Sequence, residues 1–93
     1  MRITIKDKDR FINMFNQLYT KINIDKINGI TIDSRKIKKN DVFIPIEGQN
    51  FNGHNFINEV YSKSAACFSE KKNTKKKIIK CDSTLNQIYK ISS

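Results

Sequence analysis

The residues of this chain that could do chemistry gather between Gly29 and Phe56. The segment begins Gly-Ile-Thr-Ile-Asp-Ser-Arg. It continues, from Asn40, as Asn-Asp-Val-Phe-Ile-Pro-Ile-Glu-Gly-Gln-Asn-Phe-Asn-Gly-His-Asn-Phe. All 3 glycines lie within it, and so does the only histidine, so backbone freedom and ring chemistry are confined to one region. Catalysis fits poorly. Ser34 beside Asp33 would need His54 as its base, and no nucleophile elbow surrounds the serine. His54 has no cysteine, second histidine or close carboxylate pair at ligand spacing, which argues against zinc. No G-x-x-x-x-G-K-[ST] loop is present to cradle a triphosphate. No catalytic residue and no metal ligand is assigned.

Binding fits better. Ser34 offers a hydroxyl at a strand end, and the backbone from Gly48 to Asn52 is expected to lie outside any regular ladder. Asn50 and Asn52 each carry a donor and an acceptor, the two kinds of group that a pyrimidine edge presents. Phe51 could stack on a flat base, a contact worth ~1–3 kcal/mol in single-strand binders. It could equally be a core residue, with the asparagines simply making the turn. Arg35 could meet a phosphate or fix the loops through Asp33 or Asp41, and the structural role is preferred. His54 is expected to cap the helix that begins near it.

These groups need elements to hold them. Residues 1–6 alternate as a short edge strand would, and Asp7 or Asp9 can cap a helix whose apolar face is Phe11, Ile12, Phe15, Leu18 and Tyr19. Gly29 allows a turn before a strand at 30–32. Asn40 tolerates the left-handed region in the turn that follows. Residues 42–46 read as a buried strand, which Pro45 places at an edge or brings to an end. A helix starting at Asn55 or Asn58 would run to about Lys63, with Phe56, Ile57, Val60 and Tyr61 inward. Strands at 65–68 and 76–81 flank an exposed loop. Asp82 or Ser83 can cap a last helix holding Leu85, Ile88 and Ile91.

The order β, α, β, β, α, β, β, α predicts an α/β domain of three layers. Its sheet would be mixed and partly parallel, with four or five strands and about three helices. Loops at strand ends are where such sheets place ligands.

At 93 residues the chain makes one domain, and a hydrophobic fraction of 38% supports only a modest core. No apolar run approaches the ~18 residues of a membrane span, and no signal-peptide core opens the chain, so a cytoplasmic protein is expected. Cys67 and Cys81 read as reduced thiols. The net charge of +9 could advertise nucleic acid. However, the lysines are spread along the chain, and the dense run at 71–77 has no aromatic residue between its charges. That run reads as a solvated loop. The alternative is a small basic nucleic-acid or protein-interaction module using Lys71 to Lys77.

The segment from Gly29 to Ile57 closely resembles the N-terminal domain of the Mur ligases that lengthen the peptidoglycan stem peptide. The family pattern is roughly G-[IV]-[ST]-x-D-[ST]-R-x-[IV]-x-x-G-D-[LV]-F-[VI]-x-[LI]-x-G-x-x-x-D-G-H-x-F-[IV]. The match continues through the helix and small-residue strand at 60–68 and the closing strand and helix at 78–88. The resemblance implies that residues 1–93 form a UDP-substrate-binding domain, with the central ATPase and C-terminal domains lying outside them. Ile32, Ser34, Arg35, Gly48, Gln49, Asn50 and Phe51 would surround the uracil and ribose of a UDP-MurNAc-peptide. ATP and Mg²⁺ would serve the parent ligase, and neither a membrane nor nucleic acid is expected as a partner. Ile44-Pro-Ile, residues 48–56 and Asp82-Ser-Thr-Leu look more like the D-Ala-D-Ala-adding member than the third-residue-adding one. Three positions depart from the pattern: Asn40 for Gly, Asn52 for Asp, and Ser64 for Gly, the last changing a turn.

Overall fold

Side-chain alternation in the central strands sets the layers of this domain. Val42, Ile44, Ala66 and Phe68 face one way, while Phe43 and Cys67 face the other. Both faces are apolar, as strands covered on two sides must be. A computed structural model describes residues 1–47 and 52–92, Ser92 by its backbone alone. Its strands are β1 (Arg2–Thr4), β2 (Gly29–Thr31), β3 (Val42–Phe43), β4 (Ala66–Ser69) and β5 (Ile78–Lys80). Its helices are α1 (Lys8–Leu18), α2 (Ile57–Val60) and α3 (Thr84–Ser92), with 3-10 turns at Ser34–Lys36 and Gly53–Phe56.

The strands lie side by side in chain order. β1 runs antiparallel to β2, and β2 to β5 are parallel. The expected mixed α/β sheet is therefore present. One face is covered by α1 through Phe11 and Phe15 and by α3 through Ile91; the other is covered by α2 through Ile57 and Val60. Phe15 is fully buried, its ring set against Phe11, Tyr19 and Phe68 with centroids 4.8–6.1 Å away. Among the described residues no helix is long and apolar enough to cross a membrane.

Several local expectations need correction. Leu18 and Leu85 are about half exposed, at 48% and 51%, rather than core residues. The buried face of α3 is Thr84, Gln87 and Ile91, with Ile88 partly covered. Two of these are polar, so an apolar period of three misses the face. Each has a partner that makes burial tolerable: Tyr19 Oη donates to Gln87 Oε1 at 2.7 Å, and Thr84 donates to Glu70.

β3 is central rather than at an edge, and it is shorter than the apolar run at 42–46. The Ile44 N–H still donates to the Thr31 carbonyl at 2.9 Å, after which Pro45 has no N–H to offer. The second helix starts at Ile57, between the two expected starts, and ends sooner than Lys63, with a 3-10 turn ahead of it. Asn52 caps a 3-10 turn at Gly53, and α2 closes at Val60. Ser64 fits where the family has Gly because its hydroxyl donates to the Val60 carbonyl at 2.7 Å. Among the described non-glycine residues only Asn40 has positive φ, at 66°. Asn40 thus occupies the conformation that its type allows.

Gly29 makes room rather than a turn. A Cβ there would stand 2.5 Å from the Ile3 carbonyl oxygen and 2.8 Å from Arg2 Nη2. That guanidinium grips Asp41 with two bonds of 2.8 Å, and the Lys38 N–H adds a third at 2.8 Å. Asp41 is fully buried. The partner of Asp41 is therefore Arg2 and not Arg35. Cys67 is buried and Cys81 partly so, both as free thiols whose pKa values burial raises.

Candidate functional site

Four parallel strands release their carboxyl ends on one side of the sheet. β2 and β3 are neighbours, paired Ile30 to Val42 and Thr31 to Phe43, so the segments that leave them emerge together. Thr31 organises the first exit. Its buried hydroxyl can donate to the carbonyl of Met1 (2.9 Å) or Asp33 (3.0 Å), and it accepts from the Asp33 N–H at 3.0 Å. Asp33 then caps the 3-10 turn by accepting from the Arg35 N–H at 3.0 Å.

The Arg35 side chain folds back on Asp33, with Nε to Oδ1 at 3.2 Å and Nη2 to Oδ2 at 3.1 Å. This pair holds the Asp33 carboxyl below its ordinary range, the Arg35 side-chain hydrogen bond being the main cause. Arg35 is 88% exposed, so the contact orients it more than it stabilises the fold. Ser34 is half-buried, and its hydroxyl has no partner among the described residues. Ile32 is half-buried and packs at the margin of the core.

The second exit is closed at its base. The Gly53 N–H donates to the Ile46 carbonyl at 2.9 Å, and Glu47 bridges to Asn52. A Cβ on Gly53 would lie 2.8 Å from Ile46 N and 3.0 Å from Pro45 Cα, so only glycine lets the backbones approach this closely. Gly48, Gln49, Asn50 and Phe51 lie outside the described residues. Asn52, not His54, is the cap, accepting from the His54 N–H at 3.0 Å. The imidazole is engaged instead with Asn52 Oδ1 at 2.9 Å and with the Glu70 N–H at 3.3 Å.

β4 and α3 complete this side. Ser83 caps α3 by accepting from the Asn86 N–H at 3.2 Å. Glu70 adds a carboxylate oxygen that accepts from Thr84 N–H (3.0 Å) and Oγ1 (3.2 Å). The Thr84 N–H is the main cause holding the Glu70 carboxyl below its usual value. Sequence reasoning missed Thr31 and Glu70. Thr31 stands two residues before Asp33, at the head of the Asp-Ser-Arg run, and could have been read as its anchor; nothing local marks Glu70.

A cleft of about 610 Å³ opens at the opposite, amino end of the strands, lined by Lys21, Lys26, Lys76 and Lys77 among others. Size alone does not make it a site, and Lys77 is already used. Its ammonium donates to the Tyr61 carbonyl (2.6 Å) and the Ser64 carbonyl (2.9 Å), and lies 4.6 Å from the Tyr61 ring centroid. Lys75 donates to Asn58 Oδ1 at 3.1 Å. The lysine loop is thus pinned to the α2 region by two of its charges and is not wholly solvated. The sequence lacks a triphosphate loop, and among the described residues no three or more His, Cys, Asp or Glu gather as a metal site would require.

Comparison with known proteins follows the same lines. The family described as "Mur ligase family, catalytic domain" matches residues 26–90. A UDP-N-acetylmuramoyl-L-alanyl-D-glutamate--2,6-diaminopimelate ligase of Rickettsia felis is 43% identical over 60 residues, 62% of this chain and 11% of that protein. A UDP-N-acetylmuramoyl-tripeptide--D-alanyl-D-alanine ligase of Buchnera aphidicola is 44% identical over 48 residues, 52% of this chain and 10% of that protein. The crystal structure of MurF ligase from Thermotoga maritima in complex with ADP superposes with a TM-score of 0.61 at 28% identity, covering 68% of this chain and 15% of that one. The chain spans about a tenth of the length of these curated relatives. With a family match over most of its length and a sheet of the same kind, the chain belongs to the Mur ligase family and has the fold of its N-terminal domain.

Proposed function

We propose that this domain holds the uridine-diphosphate end of a UDP-MurNAc-peptide for an ATP-dependent ligase that extends the peptidoglycan stem peptide in the cytoplasm. The observation that carries the reading is the paired exit of β2 and β3, where the Ser34 hydroxyl, without a partner among the described residues, stands beside an arginine already oriented by Asp33. Ile32, Ser34 and Arg35 would form one wall, and Gly48, Gln49, Asn50 and Phe51 the other. Arg35 uses Nε and Nη2 on Asp33, which leaves Nη1 for an anionic ligand. The excess of positive charge would steer such a ligand.

Ligation itself needs residues beyond these. The domain's part is remote binding energy that positions the reacting end of a long substrate. ATP, Mg²⁺ and the central and C-terminal domains belong to the parent protein in this reading. The acceptor is the finer point. Ile44-Pro-Ile and Asp82-Ser-Thr-Leu support D-Ala-D-Ala addition, whereas the longer alignment, to the Rickettsia enzyme, supports diaminopimelate addition. Both acceptors would be chosen outside this chain, so amide formation by the whole gene product with each one discriminates them.

Titration of the chain with UDP and with CDP, followed by amide resonances, tests the binding role. UDP is expected to shift residues near Ser34 and Asn52 and to bind more tightly than CDP. Ser34→Ala should weaken UDP about 5-fold, the worth of one hydrogen bond, with stability unchanged. Shifts spread over residues 71–77, equal for UDP and CDP, would overturn the reading.

A further inference from the structure

The described residues contain one polar chain that links three elements at the carboxyl side of the sheet. It starts at Asn52, which closes the exit from β3, passes through the His54 ring to the backbone of Glu70 at the end of β4, and continues through the Glu70 carboxylate to Thr84 at the start of α3. The chemistry of the partners fixes the ring. An amide oxygen can only accept, so His54 Nδ1 must donate to Asn52 Oδ1. A backbone N–H can only donate, so Nε2 must accept from Glu70. Only the neutral Nδ1–H tautomer satisfies both.

We infer that His54 is a positioning residue, whose neutral Nδ1–H tautomer ties the base of the β3 exit to the end of β4 and, through Glu70, to the N-terminus of α3. Its task is to hold Asn52 and Gly53 in register with the neighbouring strand, so that the base of the β3 exit keeps its place beside the exit of β2. The ring is half-buried and both of its nitrogens are used, which leaves none for a ligand. Its effect on binding is therefore indirect. The ligand part of this inference rests on the UDP-binding reading; the relay itself does not.

Two substitutions divide the ring's two bonds. His54→Asn places an amide near Nδ1 and can keep the bond to Asn52, but it cannot reach Glu70. His54→Gln places an amide oxygen near Nε2 and can keep the bond from Glu70. Long-range ¹H–¹⁵N spectra of the chain should show Nδ1 protonated and Nε2 bare; a protonated Nε2 would overturn the assignment. In His54→Asn the amide resonances of both Glu70 and Thr84 should move and the Glu70 amide should exchange faster with solvent, whereas His54→Gln should restore Glu70. If changes in His54→Asn stop at residues 52–56, there is no relay. UDP should bind about 5-fold more weakly to His54→Asn than to His54→Gln. Equal UDP affinity in wild type and both variants would refute the positioning role. A wild type that does not bind UDP would refute the functional reading, leaving the tautomer and the Glu70 and Thr84 resonances to judge the relay.

Discussion

The amino and carboxyl ends of this parallel sheet use similar side chains to opposite effect. At the amino end Asp41 is fully buried, and three donors meet it: two from Arg2 and one from the Lys38 backbone. Lys77 closes the same end by capping the carbonyls of Tyr61 and Ser64. At the carboxyl end Arg35 reaches into solvent from a half-buried Asp33, the Ser34 hydroxyl has no partner among the described residues, and the polar chain through His54 lies close to the surface. A closed end whose buried carboxylate is met by three donors stabilises a domain. An open end with oriented but unfilled donors can bind. The cleft of about 610 Å³ lies at the closed end, where Lys77 is already held by two backbone carbonyls, so concavity alone does not mark a site.

The sharpest way to break the contrast is to remove a charge from the closed end. Asp41→Asn leaves the Arg2 guanidinium, only 11% exposed, without its counter-ion. Loss of about 3 kcal/mol is expected, the lower part of the range for buried pairs because Arg2 still touches water. Urea denaturation measures this, and UDP affinity of the folded fraction should not change. A loss of affinity as large as the loss of stability would mean that the two ends are not independent.

A smaller effect is expected at the carboxyl end from Gly53→Ala. The added methyl meets the Ile46 nitrogen and Pro45, which are backbone and ring atoms that cannot swing away. The cost should be about 1–3 kcal/mol. Unlike the Asp41 change it should also weaken UDP binding, because the strain falls on the exit itself. Paired denaturation and titration curves separate the two.

Asn40 gives a third, milder comparison. Its φ of 66° is held by the Asn40 N–H donating to Lys63 O at 2.7 Å and by its carbonyl accepting from Asn28 at 3.1 Å. Asn40→Ala should cost about 1 kcal/mol, since a Cβ without a local polar group disfavours this region. Asn40→Gly should be neutral to within about 0.5 kcal/mol, the family's usual glycine being equally able to adopt it. Thermal unfolding of the two variants side by side provides the measurement.

What could be read from the sequence follows this division. The strand and helix order, Asn40 in the left-handed region and the Asp7 cap of α1 all rest on local rules, and all are present. Bonds between distant residues were not legible. Arg2 and Asp41 are 39 positions apart, and Tyr19 and Gln87 are 68 apart. Neither pair has a local signature, and the second makes a polar residue part of the core. The site was half legible for the same reason. Asp-Ser-Arg announces its turn, but the cap expected of His54 belongs to its neighbour Asn52, and the link of His54 to Glu70 exists only once β4 is in place.

The smallest expected effect concerns acid, and it separates two carboxylates of the open end. Asp33 and Glu70 both have pKa values lowered in the folded chain, the first chiefly by the Arg35 side chain and the second chiefly by the Thr84 N–H. A carboxyl that binds its proton less readily when folded adds stability above its unfolded pKa, and this is lost as pH falls through the folded one. Stability should therefore start to decline below about pH 4, the ordinary carboxylate range, and go on declining as each folded value is passed. Asp33→Asn and Glu70→Gln should each flatten that decline slightly, because Arg35, the partner of Asp33, and Glu70 itself are exposed and their interactions screened. Only Glu70→Gln should also move the Thr84 amide at neutral pH, since only that carboxylate holds the start of α3. Denaturation midpoints from pH 2 to 7 would show the slopes. A steeper acid limb in either variant would have the wrong sign for a lowered pKa and would discard the pairing assigned to that residue.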